Sequence, residues 1–259
     1  MHERRIPEWL RHAPAPGVRG FAVLAGAEAI ARGILISVFP LVMYRAFKDA
    51  AIISEVYFII GLISLFVGLL VPYLIRFVPR RWVYVFGTLM FSAGALLASL
   101  ELPYLVIAGL GLTTSATVMT FVCFNAYVLD YVSKVELGQL ETSRLFYSAL
   151  GWTVGPVLGV FLYSWWPPAP FLISAVAAFV MMIVFLVMRL GNGKLITKSR
   201  AAPANPFAFF QRFFKQPRLI TGWLFAVIRS CGWWVYVVYL PIYAVKNGLD
   251  EQTGGIALS

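Results

Sequence analysis

The sequence predicts an all-α membrane protein, a bundle of six transmembrane helices followed by the first helix of a second bundle. Three observations predict it. The 259 residues are 61% hydrophobic and only 12% charged, against about 45–50% and about 25% in soluble domains, so lipid must be the solvent for part of the surface. Seven runs are apolar over something near the roughly 20 residues that a spanning helix needs. Lysine and arginine alternate sides from one loop to the next.

The elements follow in order. Residues 1–20 form a basic arm with Arg4, Arg5, Arg11 and Arg19 among Pro7, Pro14 and Pro16, and no cleavable signal peptide is read in it. Spans are predicted at 21–44, 52–75, 82–100, 103–129, 144–164, 169–189 and 219–245. Turn or charge signals separate them at 45–49, 76–81, 101–103, 130–143 and 165–170, with a long polar segment at 191–218. Pro40 and Pro241 fall inside apolar helices, where neighbouring helices can satisfy the freed carbonyls. The reading therefore divides the chain into a six-helix domain at 1–190, a linker at 191–218 and the opening of a second bundle at 219–259. Residues 253–259 look like the start of a further helix, so the second bundle is expected to be truncated.

Orientation follows from the basic residues. Sixteen lysines and arginines fall in or beside the arm, the 2–3 and 4–5 loops and the 6–7 segment, and three (Arg45, Lys48, Lys246) fall on the other side. Such an excess places the N-terminus in the cytoplasm of a multi-pass protein of the cell membrane. It also accounts for the formal charge of +10 by topology, so no nucleic-acid partner is expected. In the linker, Asn205 caps and Pro206 opens a helix over 206–216 that Pro217 stops. Its phenylalanines (Phe207, Phe209, Phe210, Phe213, Phe214) fill one half of the wheel and Gln211, Arg212 and Lys215 the other. That helix either lies in the lipid interface or packs on the protein.

Candidate functional residues are polar groups at bilayer depth, where each ionisable side chain costs roughly 2.5–3.5 kcal/mol on insertion scales. On the first span Glu28 precedes Arg32 by four residues, the favourable order for an intrahelical ion pair. The pair either neutralises itself for insertion or forms a binding or proton-coupling site. Arg229 on the seventh span has no acid on its own helix, and Trp233 and Tyr236 share its face. It either pairs with Glu28 or Asp130 across the bundle or contacts substrate, and a cation–π contact with Trp233 is open to it. On the fourth span Thr113, Thr117, Thr120 and Tyr127 form a stripe, with Asn125 on another face and Asp130 at the end. Its threonines either bond back to their own helix or line a pathway. On the fifth span Gly151, Gly155 and Gly159 make a groove for another helix, Pro156 invites a kink, and Arg144 and Ser148 continue that face.

Cys123 and Cys231 lie in apolar stretches, so no disulfide framework is expected, and no histidine or cysteine cluster has metal-ligand spacing. The sequence has no HExxH, nucleophile elbow or phosphate-binding glycine loop, which argues against an enzyme, and no cofactor is expected.

The chain resembles the major facilitator superfamily of carriers. Gly151-x-x-x-Gly155-Pro156-x-x-Gly159 on the fifth span is similar to that family's motif C, associated with antiporters that export solutes. The 2–3 loop matches the family's second motif only in Arg76, Arg80 and Arg81, its glycines and aspartate being absent. The seventh span resembles the first, each with a mid-depth arginine and a later proline followed by a tyrosine. The resemblance implies two six-helix bundles that rock about a central site lined by the first, fourth and seventh spans. It thus implies secondary active transport of a small solute by alternating access, coupled to protons or another ion, with export as the direction. Membrane lipid and the second bundle would be partners. A seven-helix receptor or sensor is the alternative, and it would end in a polar tail or a signalling domain.

Overall fold

The computed structural model describes residues 18–132, 134–188 and 210–259. Among them the chain is all helix, with no strand. The helices are α1 (Val18–Phe47), α2 (Ala50–Phe77), α3 (Arg80–Ala98), α4 (Pro103–Tyr131), α5 (Lys134–Trp165), α6 (Ala169–Val187), α7 (Phe210–Phe214), α8 (Pro217–Lys246) and α9 (Glu251–Leu258). Seven of these, α1 to α6 and α8, are long and apolar enough to cross a membrane. Large apolar side chains such as Phe58, Leu65 and Phe66 on α2 stay exposed, which suits a lipid-facing surface and not water.

The described helices differ from the expected ones in two places. The 130–143 break is mostly helical, because α5 begins at Lys134. Hydropathy marks where lipid begins, whereas this polar stretch is an amphipathic extension: Glu136, Gln139 and Thr142 are exposed while Leu140 is buried. Of the helix expected over 206–216, the structure describes only the part from Phe210, and Phe210–Phe214 is helical. The arm at 1–17 and the linker at 189–209 lie outside the described residues.

Connections at the two ends of the bundle are built differently. At the end where α1 finishes, called here the far end, the chain turns through left-handed residues: Lys48 (φ 53°), Glu101 (φ 57°) and Gly248 (φ 74°). This conformation ends a helix within two or three residues and lets the next one start antiparallel. Asp49 then caps α2, its carboxylate accepting from the Ala51 N–H at 2.8 Å. At the near end, α2 and α4 run out through extended residues, Val78 and Val132.

Packing is organised as two tight helix pairs. α1 lies on α5, α3 lies on α4, α6 bridges α1 and α3, and α2 rests on α4. Both pairs meet through glycine. A Cβ on Gly151 would come within 2.6 Å of the Ala29 Cβ, and one on Gly155 within 2.6 Å of the Gly33 carbonyl oxygen. In the other pair, a Cβ on Gly94 would sit 2.9 Å from the Gly109 carbonyl oxygen. Backbones approach this closely only where one helix presents a glycine to the other. Ser37 adds a hydrogen bond along the α1–α5 seam, donating to the Pro156 carbonyl at 2.9 Å.

The buried apolar residues form two separate cores, one toward each end. The near core gathers Phe21, Leu24, Tyr84, Phe124, Tyr127 and Phe185, and the far core Leu35, Val38, Phe91, Val106, Phe171 and Ala175. Along α1, α3, α4 and α6 the chain leaves one core and enters the other at the same level.

Candidate functional site

Polar side chains occupy that level. Glu28 on α1, Thr88 on α3 and Thr117 and Thr120 on α4 line a cavity of about 10 Å³ together with Ala31, Arg32, Phe91, Ala178 and Met181. A space of that size holds about one water. The apolar cores above and below it fix its depth, since an ionisable pair at mid-helix is tolerated only where protein or water surrounds it.

Glu28 and Arg32 are ion-paired within α1, Arg32 Nη1 donating to Glu28 Oε1 at 3.1 Å. The carboxylate is the deeper partner, 15% exposed against 35% for the guanidinium. Arg32 thus reaches from the cavity to the open face of the bundle, where it lies over the Trp152 ring at 5.7 Å from the centroid. Trp152 in turn meets Trp233 of α8 edge-on at 5.5 Å, and Trp233 is followed at 6.3 Å by Tyr236. The Tyr236 hydroxyl donates to the Ala257 carbonyl of α9. A continuous path of side chains therefore runs from the buried carboxylate to the seventh span.

Trp152 and Thr88 are the residues that sequence reasoning missed. Trp152 falls inside the glycine run, at a position the motif leaves open. Its signal was a lone indole between small residues: where Gly151 lets α5 touch α1, the next side chain projects past the seam toward Arg32. Thr88 was a hydroxyl in an apolar run, bonded to the Val85 carbonyl at 2.8 Å.

Most of the other predicted residues have partners away from the cavity or on their own helix. Thr113, Thr117 and Thr120 all donate to carbonyls of their own helix, the first at 2.9 Å to Gly109 and the second at 2.8 Å to Thr113. Asn125 lies outside the cavity, its side-chain oxygen accepting from Arg144 Nη1 at 2.9 Å. Arg144 leaves the α1-facing row and turns to α4, where its guanidinium lies 5.1 Å from both the Phe121 and the Phe124 ring, with Glu141 at 3.4 Å.

Asp130 pairs with Arg80, which also lies over the Tyr127 ring at 5.1 Å. A charge contact between the 2–3 turn and α4 thus exists although the motif there is incomplete. Arg81 lies over Trp82 at 5.3 Å and Arg76 is exposed. Arg229 is exposed and, among the described residues, pairs with neither Glu28 nor Asp130. Both acids are held by arginines on or beside their own helices, and this corrects the cross-bundle pairing. Trp233 meets Trp152 edge-on and Tyr236 at a tilt in place of an Arg229 contact.

These features define a class: a multi-pass α-helical membrane protein whose spans are zipped through glycine seams around a half-buried ion pair at mid-depth. The sequence pattern of the Major Facilitator Superfamily matches residues 21–259, all seven spans included. The chain belongs to that superfamily of membrane transporters. No curated protein matches it.

Proposed function

We propose that this chain serves a secondary carrier of the cell membrane that moves a small solute by alternating access, with its N-terminus in the cytoplasm. Glu28 carries the coupling proton, and the net direction is export by antiport. The observation that carries this reading is the Glu28–Arg32 pair, placed between two apolar cores and joined through Trp152 to the seventh span. A carboxylate whose partner is a single guanidinium has two states available, ionised and paired or protonated and released. A movement that draws Arg32 toward solute would favour the second.

The cavity of about 10 Å³ is far below the ~300 Å³ at which ligand pockets begin. The solute therefore belongs on the open face beside Arg32, Trp152, Trp233 and Tyr236, with Arg229 one turn from Trp233. Thr117 and Asn125 extend the polar lining along α4 in this reading. A second helical bundle would supply the opposite wall. Two arginines suit an anionic or zwitterionic group on the solute, and the indoles suit a flat apolar body. The α1–α5 glycine seam supports the antiporter assignment through its likeness to motif C.

The test is Glu28→Gln in proteoliposomes that report internal pH. A solute panel should move protons through the parent protein and not through the variant, with equal amounts of protein inserted. Proton movement of the same size in both rejects the coupling role.

A further inference from the structure

The far end of the molecule holds a charge cluster that the central site does not use. Arg45, in the last turn of α1, grips Glu251, in the first turn of α9, 206 residues away. The contact is forked: Nε donates to Oε1 at 2.8 Å, and Nη2 donates to both carboxylate oxygens at 2.5 Å. The same guanidinium lies over the Tyr163 ring of α5 at 4.8 Å from its centroid. Three segments, α1, α5 and α9, meet at one point.

α8 shows what this tie controls. From Leu219 to Tyr236 almost all of its side chains are exposed, while Val237, Val238, Pro241, Ile242 and Ala244 are buried. The seam between α8–α9 and the first six helices is thus shut at the far end and open toward the near end. Small residues let it shut closely. A Cβ on Gly255 would come within 3.2 Å of the Pro156 carbonyl oxygen across the seam, and one on Gly254 within 2.9 Å of Pro241 Cα, where α9 folds against α8. The Ser54 and Tyr239 hydroxyls also meet across it.

We propose that Arg45, Glu251 and Tyr163 form a latch that holds the far end shut, and that this latch must break before the central site can face that side. The proposal rests on the carrier reading above. A bidentate arginine–carboxylate pair fixes orientation as well as proximity. It is also built to release. The side chains are 46% and 21% exposed, so water can take over both charges. Each charge also sits at the helix end that favours it, arginine at a C-terminus and glutamate at an N-terminus, and is stable when alone.

The experiment places one cysteine at Ile242, buried in the far core, in full-length protein with Cys123 and Cys231 changed to serine. Labelling by a membrane-impermeant maleimide is measured from the far side. Arg45→Gln and Glu251→Gln should each speed labelling by about fivefold, the shift that losing one partly exposed pair gives a two-state balance. Exchange of the charges, Arg45→Glu with Glu251→Arg, should bring the rate back toward the parent. An equal, measurable rate in all four proteins overturns the latch and leaves the carrier reading standing. Faster labelling in the single variants without recovery in the exchange also overturns it, because only a direct pair is rescued that way. If no protein labels at all, alternating access fails and the latch with it.

Discussion

The α1–α5 seam makes a quantitative prediction, since the cost of a single methyl group there can be worked from the backbone. Gly155→Ala puts a Cβ 2.6 Å from the Gly33 carbonyl oxygen and 2.7 Å from its Cα, where ordinary contact begins at 3.4 Å. Neither atom is the tip of a flexible side chain, so the helices must part by about 1 Å, which forfeits a quarter to a half of the dispersion energy at neighbouring contacts. Overpacking of this kind costs about 1–3 kcal/mol, against which alanine gains about 1 kcal/mol over glycine in helix propensity. Gly232→Ala on α8 isolates the second term, because a Cβ there meets nothing within 4 Å. Both variants are unfolded reversibly in mixed micelles of rising denaturing-detergent fraction. Gly155→Ala should fall about 1–3 kcal/mol below Gly232→Ala. Equal stabilities would refute the argument that backbone contact, not glycine itself, is what the seam requires.

Three further outcomes follow from the described contacts. Trp152→Ala removes the ring under Arg32 and the edge contact to Trp233; it should cost about 1–3 kcal/mol in the same unfolding assay, with Trp152→Phe recovering part of it. Arg80→Ala and Asp130→Asn should show a coupling energy no greater than about 1 kcal/mol in a double-mutant cycle, reduced further by salt, because the aspartate is half exposed. A membrane-permeant maleimide should modify Cys231, which is exposed, well before Cys123, which is buried in the near core, and mass spectrometry of the labelled peptides reads the order.

The spans were legible because hydrocarbon thickness sets a length and a composition together, and both are local properties of sequence. The glycine groove on α5 was legible for the same reason: residues 151, 155 and 159 share a face by helix geometry alone. Its partner was not. Nothing in the sequence says that Ala29, Gly33 and Ile34 lie in that groove, since the pairing joins segments more than a hundred residues apart. The Glu28–Arg32 pair could be read because it closes within one helix turn. The sequence leaves Asp130 as one of two acids open to Arg229; its partner Arg80 lies on α3, and a residue count carries no distance between helices. Arg45, Tyr163 and Glu251 lie at the edges of three separate segments, and nothing in their local sequence joins them. Their meeting depends on α9 folding back along α5 and α8, a tertiary event that hydropathy does not encode.

The two sites are connected by the way the helices are paired. Glu28, Arg32 and Arg45 stand on α1, and Trp152 and Tyr163 on α5, so one glycine-zipped pair carries both the mid-depth ion pair and the far-end fork. Arg32 and Arg45 are 13 residues apart in sequence, roughly 20 Å along a helix. Two helices whose backbones touch at Ala29, Gly33 and Ile34 cannot slide past each other without clashing, so they move as one piece. α8 and α9 touch that piece at two levels, through Trp233 on Trp152 and through Glu251 on Arg45. Any tilt of α8 that lifts Trp233 from Trp152 therefore turns about the far-end fork while it holds. In the latch proposal, release of the fork moves the pivot to mid-depth. Alternating access, as proposed above, needs such an exchange of pivots, and widening the seam by one methyl at Gly155 should blur it before it unfolds the protein.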